Sequence, residues 1–214
     1  MRTALLLVLL TTTAHAGNNE LMITESARAL RTSSANAITE DGLFGVSFGY
    51  ARRLPIVVGP LALWGHASFD IGMADGTMFQ TLTTELDTLG GSAGIRAQYN
   101  LWRERLIASA RVELGMMRAS LDLHDDADHS AGDHGWGATS SAAAGLDVVA
   151  ISRRSVLSLA LRFEVGATAT SSIPLTAIPA ETTDNTLELA MTAASLGSLN
   201  LSGPWFAASL VGQF

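Results

Sequence analysis

The sequence predicts an all-β fold, a single antiparallel barrel of eight strands occupying most of a 214-residue chain. Three observations carry that prediction. Apolar residues recur at every second position through six stretches, the period of a strand rather than a helix. Those stretches run about 10 to 15 residues, against about 5 to 6 for the usual globular strand. Each has one continuous apolar face, whereas the other mixes Gly and Ser with charges that a dry core rejects.

Taken in order, the chain begins with a short basic start, Met1-Arg2, an apolar run from Ala4 to Leu10 and the small-x-small sequence Ala14-His15-Ala16. That is the pattern of an export signal, which assigns residues 1–16 to a removed signal peptide and 17–214 to the mature domain. The run stops at Thr11, short of the about 18 to 20 apolar residues that a transmembrane helix needs. Leu21 to Arg31 is a candidate first strand. Phe44, Val46, Phe48 and Tyr50 then alternate with Gly45, Ser47, Gly49 and Ala51, and Leu61, Leu63, Ala67, Phe69 and Ile71 with Trp64, His66, Ser68 and Asp70. Ala93, Ile95, Ala97, Tyr99 and Leu101 oppose Gly94, Arg96, Gln98 and Asn100; Ala108, Ala110, Val112, Leu114 and Met116 oppose Ser109, Arg111, Glu113 and Gly115. Leu157, Leu159, Leu161, Phe163 and Val165 oppose Ser158, Ala160, Arg162, Glu164 and Gly166. The last stretch carries Phe206, Ala208, Leu210 and Gly212 and ends on Phe214.

An even strand count requires one further strand, either Leu21 to Arg31 or, in the competing assignment, Thr186 to Ser198. The second choice reverses which connections face which side. Connections alternate between tight ones, near Arg52 to Gly59, Trp102 to Arg105 and Ser152 to Ser155, and expected long loops over Met73 to Thr88, Asp122 to Ala138 and from Ser171 onward. The tight turns carry Arg52, Arg53, Arg103, Arg105, Arg153 and Arg154, while acids collect in the long segments.

Composition narrows the function classes. Hydrophobic residues make up 48% of the chain and charged ones 15%, which disfavours disorder. All 13 basic residues are arginine and the net charge is -7, which disfavours a nucleic-acid partner. With no cysteine, disulfide scaffolds, cysteine-ligated zinc and thiol chemistry are excluded. No Pro- or Ser-rich linker and no repeat divides the mature chain, so one domain is expected.

The polar faces carry Arg96, Arg111, Glu113, Asp147, Arg162 and Glu164, charges of both signs at similar depths, as a lumen filled by ion pairs requires. With the long strands and the terminal Phe214, the pattern resembles the small outer-membrane β-barrel proteins of the OmpA and OmpX kind, over most of the mature chain. The resemblance implies short periplasmic turns, long extracellular loops, and the outer membrane of a Gram-negative bacterium as location. It also implies outer-membrane lipid and lipopolysaccharide as surroundings, and Phe206, Leu210 and Phe214 as the signal read by the barrel-assembly machinery. Gly212 departs from that signal, where the family has a larger apolar residue.

Two stretches invite chemistry. His124, Asp126, Asp128, His129 and His134, with Asp125 and Asp133, offer imidazole and carboxylate ligands for a divalent ion, without a fixed ligand spacing. The bland reading is a solvated acidic loop. His66 and Ser68 share a strand face as a lipid hydrolase's base and nucleophile would. Same-face neighbours stand about 6.7 Å apart, however, and this face points into the lumen, not at lipid. Arg118 interrupts an outward apolar series, either meeting lipid phosphate or turning inward at a bulge. Trp136 is expected at the membrane interface. No pattern implies a cofactor. The expected role is structural or a surface interaction, without enzymatic activity and with the lumen closed by ion pairs. The alternatives are a narrow pore, a lipid hydrolase and a soluble periplasmic ligand-binding barrel.

Overall fold

The computed structural model describes residues 17–39, 42–78, 82–102, 105–124, 130–153, 157–175 and 197–214; the signal segment, residues 1–16, lies outside them. The elements in chain order are β1 (Asn19–Arg28), α1 (Ser33–Asn36), β2 (Leu43–Val58), β3 (Leu61–Met78), β4 (Leu82–Trp102) and β5 (Leu106–His124). They continue with β6 (Ser130–Arg153), β7 (Leu157–Thr170), β8 (Ile173–Pro174), β9 (Ser198–Leu199) and β10 (Gly203–Gln213). Eight of these strands close into one barrel in the order β1-β10-β7-β6-β5-β4-β3-β2, with every pair antiparallel. Each barrel strand pairs with the next barrel strand in sequence, and the ring is sealed by β1 against β10, so the barrel itself has no open edge. β8 and β9 form a separate two-residue ribbon.

The closed ring answers the question of the eighth strand. It is the N-terminal segment, as Asn19–Arg28, and the ring is complete without Thr186 to Ser198, of which residues 186–196 lie outside the described residues. The start of β1 and the end of β10 meet at one end, the terminus end, where Asn19 and Phe214 exchange backbone hydrogen bonds of 3.1 and 2.9 Å. The tight connections cluster at that end too. The first is tighter than expected: β2 runs on to Val58 past a register irregularity between Arg53 and Val57, leaving Gly59, at φ 55°, in the turn.

Two expected loops are corrected. Met73 to Thr88 and Asp122 to Ala138 are not loops, because β3 stays paired to β4 as far as Met78 opposite Leu82, and β5 to β6 as far as His124 opposite Ser130. The reason lies in a change of polarity along the same strands. In the half nearer the termini, apolar side chains point outward; Val112, Leu114 and Val165 are 61, 72 and 65% exposed, while Arg96, Asp147 and Arg162 are 1% exposed. Farther out the sense reverses. Asp75, Glu85, Asp87 and Asp122 face outward, and Ala74, Leu86, Ala119 and Leu121 face inward and are buried. The outer half therefore has the polarity of a water-soluble barrel, which a search for one continuous apolar phase reads as polar loop.

The inward apolar residues of that outer half are covered by the segments entering the mouth. Leu30, Ala35 and Ile38 from around α1, Ile173 of β8 with Leu175 just after it, and Leu199 of β9 with Leu201 just after it pack with Leu86, Met117 and Leu121 in one buried cluster. Thr32 caps α1, accepting from the Ala35 N–H at 3.3 Å, and the Thr84 hydroxyl donates to the Ile38 carbonyl at 2.5 Å. Gly135 and Gly137 make room for the ribbon, since a Cβ on either would come within 2.7 Å of Ile173.

Candidate functional site

Inside the half nearer the termini, the inward positions assemble two tiers of charge. The lower tier centres on Glu20, contributed by β1. Its carboxylate accepts from Arg96 Nη2, from Arg162 Nη2 at 3.3 Å, from Gln98 at 3.4 Å and from Gln213 at 2.8 Å. Arg162 also forks onto Asp147, with Nε and Nη2 each 2.7 Å from a carboxylate oxygen, the bidentate geometry for which a planar guanidinium is suited. Trp64 closes one side, its ring 5.5 Å from the Arg96 guanidinium carbon.

The upper tier centres on Glu113. Arg111 Nη1 donates to it at 2.5 Å and the Ser141 hydroxyl at 3.0 Å, while His66 Nδ1 lies 2.6 Å away without its N–H aimed along that line. Arg111 Nε stands 3.1 Å from Glu164, also off the hydrogen-bond direction, and the guanidinium carbon sits 5.2 Å from the Trp205 ring. Above this tier and below the apolar cluster lies a cavity of about 120 Å³, bordered by Thr24, Ser26, Arg28, His66, Ser68 and Asp70.

All six charges picked out in the sequence, Arg96, Arg111, Glu113, Asp147, Arg162 and Glu164, point inward and take part in ion pairs. The pairing differs from a simple match among themselves, because Arg96 is held by Glu20. Glu20 was missed for a physical reason. β1 carries only Leu21 and Ile23 as large outward residues, too short an alternation to fix which of its faces is inward.

His66 and Ser68 are not brought together as base and nucleophile. The Ser68 hydroxyl is hydrogen-bonded to Ser92 at 2.8 Å and Asp70 at 3.2 Å, and His66 is turned to Glu113. Of the metal candidates, Asp126, Asp128 and His129 lie outside the described residues; His124 ends β5 opposite Ser130, and His134 lies opposite Ser120 on the outer face. Among the described residues no three His, Asp or Glu side chains gather as a metal site. Arg118 keeps its outward phase, because the β5 register is unbroken from Ile107 to His124 and no bulge turns it inward. It lies between Leu89 and Trp136, with Trp136 55% exposed. At the terminus end the Tyr50 hydroxyl donates to Asn19 at 2.7 Å, and Trp102 is 61% exposed. Phe206 and Leu210 are outward and more than half exposed.

No protein-family model and no curated protein matches the chain. Among solved structures, the chain is similar to the translocator domain of the autotransporter NalP from Neisseria meningitidis, at 10% identity and a TM-score of 0.42, covering 100% of this chain and 93% of that one. It is also similar to the β domain of the Bordetella autotransporter BrkA, at 12% identity and a TM-score of 0.32, covering 94% of this chain and 100% of that one.

Proposed function

We propose that the protein is an outer-membrane β-barrel of a Gram-negative bacterium, exported through a cleaved signal peptide, with a structural or surface-interaction role and no enzymatic activity. The observation that carries this reading is the polarity of the lower half: large apolar side chains turned out, paired charges turned in. In water the outward face would be a continuous apolar patch of a kind that soluble monomers rarely expose. In a bilayer it is the expected lipid contact, bounded below by Tyr50, Tyr99 and Trp102 and above by Arg118 and Trp136. A soluble periplasmic ligand-binding barrel needs the opposite polarity at this level.

The termini and tight turns face the periplasm in this reading, and the outer half stands above the membrane in contact with lipopolysaccharide and water. The two charge tiers and the apolar cluster fill the interior, which favours a closed lumen over a narrow pore. Phe206 and Leu210 on the last strand, with Phe214 just after it, form the signal that the barrel-assembly machinery reads in this proposal. The test is fractionation of cells expressing the whole chain, followed by electrophoresis of the mature protein with and without boiling. Recovery in the outer membrane with a heat-dependent mobility shift is expected; recovery in the soluble periplasm without a shift overturns the reading.

A further inference from the structure

Among the described residues, the outward apolar belt contains one charge. β1 alternates Leu21, Ile23, Glu25 and Ala27 outward, and Glu25 is exposed on that face, with no ion pair or hydrogen bond among the described residues. In register it lies between Val46 of β2 and Ala208 of β10, with Phe44 and Phe48 on one diagonal pair and Phe206 and Leu210 on the other. Its surroundings are wholly apolar. Among the described residues, the other outward charges of the barrel strands lie at the margins, Arg52 below and Asp75, Glu85, Asp87, Arg118 and Asp122 above.

The register also gives its depth. Followed round the ring through β2, β3 and β4, Glu25 leads by way of Val46, Ile71 and Leu89 to Arg118 on β5. Followed the other way, through β10, β7 and β6, it leads by Ala208, Phe163 and Leu146 to Ala108 on the same strand. The two arrivals differ by the stagger that a tilted closed sheet imposes, so Glu25 stands midway between them, level with Val112 and Leu114. That is the middle of the apolar span of β5.

A carboxyl group at that depth of a bilayer is away from water and has no partner among the described residues, and such intramembrane groups point inward or meet another molecule. Resting on the membrane reading above, we propose that Glu25 marks the centre of an interface with a second copy of this chain, formed by β1 with the flanking faces of β2 and β10. Two barrels inserted in the same sense are related by a two-fold axis along the membrane normal, which brings residues of equal depth together and sets Glu25 against the partner's Glu25. A carboxyl pair is self-complementary, since each protonated group donates to the carbonyl oxygen of the other. An ion pair between copies has no counterpart in the belt, because Arg118 and Arg52 lie at other depths. Ala27 and Ala208 let the backbones approach beside the pair, and the four larger side chains border it.

The test exploits the absence of native cysteine. Ala27→Cys is placed in the whole chain and oxidised in outer membranes, alone and combined with Glu25→Gln or Glu25→Leu; Val112→Cys, on the opposite wall, serves as control. The expected result is a disulfide-linked band at twice the monomer mass for Ala27→Cys, retained with Gln, which still pairs through hydrogen bonds, and lost with Leu. Val112→Cys is expected to stay monomeric. Absence of the Ala27→Cys dimer, equal yields with Leu, or an equal dimer from Val112→Cys overturns the proposal. A charged maleimide on the same membranes separates this failure from that of the membrane reading: Val112→Cys is expected to resist it, and ready modification removes the premise itself.

Discussion

Arg162→Met is the sharpest probe of the interior. Arg162 is 1% exposed and bridges Asp147, through two hydrogen bonds of 2.7 Å, to Glu20 at 3.3 Å. The thioether replaces the stem of the side chain but none of its five donors. Glu20 keeps Arg96, Gln98 and Gln213, so the loss falls on Asp147, itself 1% exposed and left, among the described residues, with the Gln98 amide at 3.5 Å. Stranding a buried charge by removing its partner costs about 3 to 5 kcal/mol. At a urea slope of about 2 kcal/mol/M, that lowers the unfolding midpoint by about 2 M. The assay is urea unfolding of the barrel refolded into lipid, followed by tryptophan fluorescence. Replacing both partners, as Arg162→Met with Asp147→Leu, removes the stranded charge and should recover most of the loss, since an apolar pair is often as stable as a buried ion pair. A single variant within about 0.5 kcal/mol of the parent, the usual scatter of surface changes, would refute the reasoning. So would a double variant no more stable than the single.

Gly166→Ala places a methyl 2.6 Å from the Trp205 ring and the Ala142 carbonyl, and should destabilise the barrel by about 1 to 3 kcal/mol while shifting Trp205 fluorescence as the ring leaves Arg111. Leu121→Ala, deep in the apolar cluster of the outer half, should cost about 2 to 5 kcal/mol and speed proteolysis at the mouth in intact cells; unchanged protease resistance would count against that cluster as the plug. Native protein in planar bilayers should leave conductance at that of the bare membrane, and discrete channels altered by Arg111→Ala would reinstate the pore. His66→Ala should leave phospholipid hydrolysis by the purified barrel at background, and a native activity lost in this variant would reinstate the hydrolase.

Much of the fold was legible because period-two alternation is strong wherever both faces are chemically distinct, as along Phe44 to Tyr50 against Gly45 to Gly49, or Val112 against Arg111 and Glu113. The inward charges followed from the same phase. What escaped notice did so where phase carries no information. The outer half inverts its polarity near Met116 and Met117, so outward Asp87 and Asp122 looked like loop residues although their strands continue. β1 offers two large apolar residues before Glu25 breaks the series, which hid both Glu20 and the depth of Glu25. Which arginine faces which carboxylate depends on the stagger of the ring, and no local pattern encodes that.

The lower tier also has a temporal meaning. Glu20 belongs to the first strand, yet its partners Arg96, Arg162 and Gln213 lie 76, 142 and 193 residues further along the chain. Until the final strand arrives, Glu20 on β1 and Arg162 on β7 stand on strands that β10 alone joins, and the open sheet holds these opposite charges apart across a gap. The seam of β1 on β10 is thus a latch whose electrostatic reward comes only at the last step. Such distant contacts make folding slow and all-or-none. A chain lacking its last strand should stall as an open, salt-sensitive intermediate rather than settle as a smaller barrel.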